Sequence, residues 1–429
     1  MKHTNKKGFT IVELVIVIAV IAILAAVLIP TFTNLIKKAN ESSDMQAVRQ
    51  MNTILSAEGA VEKNNIFDVF TVLHEAGLDA KNYKPLVNGT YFFWDDKADR
   101  VIYTDGEFNV IYPKDYDMNN KGNWFSLTQT IEAVKPADTN YDDGISVATG
   151  AELLYVIDQI EAGEIKNATV LVPADGIDMM GAVFGINSLN DNLTIKSETG
   201  APVVISNAIS IDTTYFGDGV TEGNKGQYSA GLFGSVAKGK TLKIENVTFK
   251  NVHVKNTNTT NIAVLVGTLS GTLELNNVTI ENCSVIGNKN VGAVVGSLNG
   301  VVKGSVSLKN VDIGTIGGRS GLVIGRVCTN QRDFSDLTIA VDGDCSFYLY
   351  RCNQNTGTAP LSGKELGYNE ATGEVKSWAW DGTENGEDYS SNRYFVAGSL
   401  AALGNDTPET ANHCFKLVPG WNDANYLGK

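Results

Sequence analysis

The sequence predicts an α+β N-terminal module, a long helix with a small β-hairpin head, followed by an all-β right-handed parallel β-helix. Three observations carry this. A charge-free apolar run extends from Leu14 to Ile29 and meets Pro30. Two strings rich in aromatic and β-branched residues, Tyr91-Phe92-Phe93-Trp94-Asp95 and Arg100-Val101-Ile102-Tyr103, flank a polar turn over Asp95 to Asp99. Further along, one short phrase is written four times between positions 230 and 327.

The apolar run begins inside Lys6-Lys7-Gly8-Phe9-Thr10-Ile11-Val12-Glu13-Leu14. Here a basic leader and a Gly-Phe junction precede one carboxylate set among apolar residues. A carboxylate in a bilayer costs a few kcal/mol, so Glu13 asks for a partner. Cleavage between Gly8 and Phe9 would supply one, because Phe9 would then carry a free α-amine. In one helix that amine lies roughly 6 Å along the axis from Glu13. Packed side by side, the amine of one subunit would neutralise Glu13 of its neighbour.

These residues, with Thr10, Pro30 and the cytoplasmic-type lysines Lys2, Lys6 and Lys7, resemble the N-terminal signature of type IV pilins and type II secretion pseudopilins. The resemblance implies cleavage after Gly8 by a prepilin peptidase on the cytoplasmic face and N-methylation of Phe9. It further implies assembly with other pilin subunits through Phe9, Glu13 and Pro30. A secretory signal peptide has a shorter apolar core and a small-residue cleavage site, and no clean Ala-x-Ala precedes Pro30. An ordinary single-pass anchor allows the length but gives no reason for Glu13 or the Gly-Phe junction.

The chain has 429 residues, room for two or three domains beyond the anchor. Its 34 basic and 48 acidic residues give a net charge of −14, and loss of the three leader lysines takes this to −17. Such acidity suits an extracytoplasmic domain and disfavours nucleic acid as a partner. Cys283, Cys328, Cys345, Cys352 and Cys414 show no metal-ligand spacing, so no metal or cofactor is expected. Buried reduced thiols are the simplest expectation, with a Cys345 to Cys352 bridge left open.

Residues 1–8 are thus expected as leader and 9–30 as transmembrane and assembly helix. Beyond Pro30, expected to kink or loosen the helix, Met45, Val48, Met51, Ile54 and Leu55 recur at helical spacing and predict a docked outer half. Residues 31–112 then form that half-helix and a small head, with a short helix over Asp68 to Glu75. The helix-plus-hairpin pattern resembles the heads of small pilins. Residues 113–145, rich in Asn, Asp, Gly and Lys, read as a linker. Within it, Asp138 to Gly144 resembles the start of a calcium loop, but its glycine comes one place late and no closing glutamate follows.

The repeated phrase is Ala230-Gly231-Leu232-Phe233-Gly234-Ser235-Val236, then Ala263 to Leu269, Gly292 to Leu298 and Gly321 to Val327. Its shared glycines, Gly234, Gly267, Gly296 and Gly325, lie 33, 29 and 29 positions apart, a solenoid-type period. A second phrase, Leu242 to Phe249, Leu273 to Ile280 and Val306 to Ile313, runs between them. With short strands and no long helix per unit, residues 146–361 read as a right-handed parallel β-helix; it resembles the pectin-lyase-like type, and the small-apolar-glycine phrase also resembles adhesin repeats. Asn246, Asn277 and Asn310 are expected to stack as an amide ladder. That gives Asn-x-Ser/Thr triplets at Asn167, Asn192, Asn246 and Asn277 a structural meaning rather than glycosylation. A helix within Ser146 to Gly163 should cap the first coil, because an open coil exposes sheet edges. Residues 362–429, with Trp378, Trp380 and Trp421, form a C-terminal cap or extension.

Polysaccharide lyases and hydrolases share this type of β-helix, so a membrane-anchored enzyme is the rival expectation. Such enzymes need clustered carboxylates. The best-defined coils hold Glu245, Glu274, Glu281 and Asp312 at non-equivalent positions, and His3, His74, His253 and His413 are scattered. The sequence therefore predicts a non-enzymatic, single-pass pilin-like subunit. Phe9 to Ile29 would sit in the bacterial cytoplasmic membrane, with the head outside for adhesion to a glycan or protein. Its bulk suits a minor or tip subunit, and the leader is common to pili, secretion pseudopili and DNA-uptake filaments.

Overall fold

The computed structural model describes residues 11–57, 66–78, 80–137, 144–182, 188–211, 229–256, 259–287 and 290–315, with shorter stretches from 319 to 347 and a few two-residue strands beyond. Helix α1 runs unbroken from Ile11 to Ala57 with Pro30 inside it. Its outer half docks as the three-and-four spacing requires: Val48, Met51 and Leu55 are buried, and Met45 and Ile54 are packed against the same cluster. Helix α2 (Ile66–Glu75) closes over them with Phe67, Phe70 and Leu73.

Four antiparallel strands support both helices: β1 (Tyr91–Asp95), β2 (Arg100–Thr104), β3 (Val110–Tyr112) and β4 (Trp124–Ser126), in the order β3-β2-β1-β4. The expected hairpin is the β1–β2 pair, with Trp94 opposite Val101. Strand β4 falls inside the stretch expected to be a linker. It pairs with β1, Trp94 opposite Phe125, and residues 113–137 run on along the body rather than away from it. Asp95 explains this course. Its buried carboxylate accepts from Lys97 N, Ala98 N, Gly122 N, the Trp124 indole and the Tyr116 hydroxyl. Burial pushes that carboxyl up, but the donors from Ala98, Tyr116, Gly122 and Trp124 outweigh it and hold Asp95 below the usual carboxylate range.

The sheet is buried on both faces. Phe92, Trp94, Val101, Tyr103 and Phe125 belong to the helix-side cluster, whereas Phe93, Ile102 and Trp124 belong to the core of the solenoid. Phe93 stacks on Trp124 with centroids 5.5 Å apart. Backbone bonds cross the junction too, Ser126 N donating to Met180 O at 2.9 Å. Head and solenoid therefore share hydrophobic surface, each buried aromatic contributing about 1.5–3 kcal/mol.

One carboxylate fixes the helix to the head. Asp44, 2% exposed, accepts from Leu86 N at 2.8 Å, Val87 N at 3.1 Å and the Tyr103 hydroxyl at 3.3 Å. Burial, with the Asp44 charge alongside, pushes the Tyr103 phenol up to about 12. An Asp44→Ala change strands three donors, so a loss of about 2–3 kcal/mol is expected. Urea unfolding of the full chain in detergent, compared with Asp44→Asn, measures it; an unchanged midpoint would show that this anchor contributes nothing.

Among the described residues the strands of the solenoid pair in parallel, and its first coil is capped. Thr149 accepts from Glu152 N, and the Glu152 carboxylate accepts from Ala148 N, a reciprocal cap that starts α3 (Gly150–Glu161). Ala151, Leu153, Val156, Ile157 and Ile160 cover the coil. Interior side chains then stack in columns across coils. Leu193, Leu242, Leu273 and Val302 form one column, and Ile205, Phe249, Ile280 and Leu308 another. The repeated glycine phrase is a corner joining two short strands, as in Asn261–Ala263 and Val266–Leu269. Its glycine is required by space. A Cβ on Gly296 would lie 2.4 Å from Ile262 N, and one on Gly325 2.4 Å from Val291 N.

Asparagines turn the other corners. Asn167, Asn207, Asn246, Asn251, Asn277, Asn282 and Asn310 all have φ between 51° and 61°, which Asn tolerates better than most residues. Their amides bond from coil to coil: Asn192 Nδ2 to Asn167 at 2.9 Å, Asn277 Nδ2 to Asn246 at 2.8 Å and Asn251 Nδ2 to Asn207 at 3.0 Å. Asn310 does not continue the Asn246–Asn277 row. It bonds Asn282 at 3.0 Å, because the next coil has Gly304-Ser305 where its neighbour has Leu275-Asn276-Asn277, and Ser305 Oγ meets Asn277 N instead. Opposite charges also alternate between coils. Lys303 meets Glu274 at 2.8 Å, and Lys250 and Lys309 flank Glu281 at 3.2 and 3.7 Å.

Cys283 is buried and reduced, its thiol pushed up to about 12 mainly by burial; Cys345 is buried as well. Cys328, Cys352 and Cys414 lie outside the described residues, as do most of Asp138 to Gly144 and Trp378, Trp380 and Trp421.

Candidate functional site

The expected processing positions Gly8 and Phe9 lie outside the described residues; Glu13 and Pro30 lie within them, on different turns of α1. Glu13 stands in the first described turn, on an exposed part of the helix. Around it the helix is apolar on every side and uncovered. Ile11 is 82% exposed, Ile29 64% and Ile36 60%. A helix apolar all round is stable only inside lipid or among other helices.

Its dimensions suit both. Ile11 to Ile29 spans about 28 Å, close to the hydrocarbon thickness of a bilayer. α1 is the one helix among the described residues long and apolar enough to cross a membrane. Apolar exposure continues past Pro30 through Phe32, Leu35 and Ile36 before Lys37 and Lys38. That is about two turns more than a span needs. Pro30 contributes no N–H to the ladder, and the Thr33 hydroxyl donates to Ile29 O at 2.9 Å beside it.

Residues 3–29 match the family described as the prokaryotic N-terminal methylation motif. Gly8, Phe9 and Glu13 all fall within the matched run. The chain is also 63% identical over 38 residues to the type IV wide pilus major component PilA4 of Thermus thermophilus, covering 9% of this chain and 29% of that protein. To the type IV major fimbrial protein FimA of Dichelobacter nodosus it is 46% identical over 50 residues, 12% of this chain and 32% of that one. The chain thus spans about a third of the length of these relatives. No solved structure gives a significant match.

A type IV pilin-type N-terminal segment is therefore joined to a β-solenoid. Among the described residues no group of three or more His, Cys, Asp or Glu could hold a metal ion. The structure adds a polar cleft where head meets solenoid, lined by Trp94, Lys97, Asn251 and their neighbours. Its signal was the unbroken Tyr91-Phe92-Phe93-Trp94 run, since a strand without alternation is buried on both faces and so must have something packed on each.

Proposed function

We propose that this protein is a pilin-like filament subunit, cleaved after Gly8 and N-methylated at Phe9, that carries a β-solenoid outside the cell for adhesion. The observation that carries it is the exposed apolar half of α1, holding Glu13 inside the matched motif and running past the length of a bilayer span. Lipid accounts for the span. The extra turns to Ile36 suit contact with neighbouring helices. A prepilin peptidase and methyltransferase, other pilin subunits and an assembly machine are the partners this function needs.

The engagement of the solenoid's carboxylates favours the reading of binding over catalysis. Glu274 and Glu281 are held in ion pairs between coils, and Glu245 is bound by Lys243 at 2.9 Å and Asn276 at 3.0 Å. Carboxylates so engaged stabilise a stack and are poorly placed as acid and base. The large head suits a minor or tip subunit of a pilus or a secretion-type filament.

Mass measurement of the mature N-terminal peptide from membranes tests the proposal. Methylated Phe9 as first residue is the expected result. An intact Met1 start, or a cut beyond Pro30, would overturn it.

A further inference from the structure

The cleft at the junction encloses about 730 Å³, within the range of small-molecule sites. The head supplies Ile66, Trp94, Asp96, Lys97, Asn123 and Phe125; the solenoid supplies Lys250, Asn251, His253 and Asn282. It exists only because the two are docked, and several of its lining groups have hydrogen-bonding capacity that no protein partner meets.

Trp94 is 2% exposed, and its indole N–H has no partner. A buried donor left in that state costs about 1–3 kcal/mol, and in native proteins it needs a reason. Lys97 lies exposed in the β1–β2 turn with no ion pair among the described residues, whereas Lys250 is already matched to Glu281. The asparagine row also opens here. Asn251 bonds Asn207 and Asn282 bonds Asn310, but no bond joins Asn251 to Asn282. One amide oxygen and one amide NH₂ are left over at the cleft wall. The remaining lining is fixed. Asn123 donates to Asp96 at 2.7 Å, and His253 Nδ1 meets Ser284 Oγ at 2.8 Å. Burial holds the His253 imidazole down to about 4, so near neutral pH it is an uncharged member of the wall.

The unmet set is two donors without acceptors, one of them cationic, plus an amide pair that both gives and takes. An anion alone would satisfy the cation and leave the amide pair idle. Ring hydroxyls, each donor and acceptor, match that pair. We propose that the cleft binds an acidic saccharide, its carboxylate at Lys97 and its hydroxyls at Trp94 Nε1, Asn251 and Asn282. This names a ligand class for the adhesive head and rests on that head being presented outside the cell.

The test uses the full chain in detergent micelles and titrates trimers of galacturonate, mannuronate and glucuronate, the carboxyl-reduced neutral trimers and a glutamate hexapeptide, by calorimetry. At least one uronate trimer is expected to bind, with its neutral counterpart and the peptide about tenfold weaker or worse. Lys97→Met should weaken the acidic trimer by about tenfold and leave the neutral one unchanged. Trp94→Phe keeps the ring and removes the orphan N–H. It should weaken binding severalfold with an equal or higher unfolding temperature. No binding up to millimolar trimer, binding indifferent to both substitutions, or equal affinity for the peptide would each overturn the proposal. None of these readouts depends on Phe9 processing, so a failure here is distinct from a failure of the filament reading.

Discussion

Glu13→Ala is expected to leave the chain in the membrane but to abolish its incorporation into filaments. The physical asymmetry is large. A carboxylate costs about 2.5–3.5 kcal/mol at the centre of a span and less towards the end where Glu13 stands, so alanine makes insertion no harder. In the proposed filament, alanine would remove the acceptor for the Phe9 amine of a neighbouring subunit. That amine would then be buried unpaired among apolar helices. Removing one partner of a buried ion pair costs about 3–5 kcal/mol, which is a factor of a hundred or more per contact. Comparing the sheared surface fraction with the membrane fraction for wild type, Glu13→Ala and Glu13→Gln measures the effect. Glu13→Gln should fall between them, since an amide still accepts a hydrogen bond without matching the charge. Incorporation of the alanine variant at the wild-type level would remove the proposed role of Glu13.

The parts of this protein that were plain from sequence are those where one rule acts alone. The run from Leu14 to Ile29 is uniformly apolar, and Val48, Met51 and Leu55 recur at helical spacing with no competing signal. The hairpin was marked by its turn. Failures came where two rules competed. Around Trp124 the turn-forming residues of 113–123 outweigh a three-residue strand, and only the distant Asp95 carboxylate gathers that chain onto the sheet. The local pattern misplaces Asn310, because Leu308-Lys309-Asn310-Val311 copies Ile244-Glu245-Asn246-Val247. Spacing contradicted that copy. Asn310 lies 33 residues beyond Asn277 but 28 beyond Asn282, near the 29-residue step of the glycines in those coils. The unbroken Tyr91 to Trp94 run signals only that something packs on each face of that strand; what lines the cleft is not legible, since its walls come from segments more than a hundred residues apart that no local pattern connects.

The shortened coil also yields the largest stability effect expected in the solenoid. Gly304 occupies the corner that asparagines turn elsewhere, because Gly304-Ser305 must close in two residues what Leu275-Asn276-Asn277 closes in three. Its φ is +99°, well beyond the 51–61° range of the corner asparagines, and a Cβ there would lie 1.9 Å from Leu275 O and 2.8 Å from its carbonyl carbon. Gly304→Ala thus meets two penalties at once. Backbone strain at a non-glycine residue in this region costs about 1–3 kcal/mol, and forcing neighbouring backbones apart in a packed stack costs about 1–3 more. The clash is with backbone, so no side chain can move aside to relieve it. Adjacent coils carry the damage further, since Gly304 N donates to Asp336 O on one side and Ser305 Oγ accepts from Asn277 N on the other. A loss of about 4 kcal/mol is expected, among the larger effects of single substitutions. Gly239→Ala serves as the control: its φ is +76° but no atom lies within 4 Å of the added Cβ, so strain acts there without the clash. In thermal unfolding of the two variants, a loss at Gly304 well above that at Gly239 isolates the contact between coils, and equal losses would mean that only the backbone angle matters.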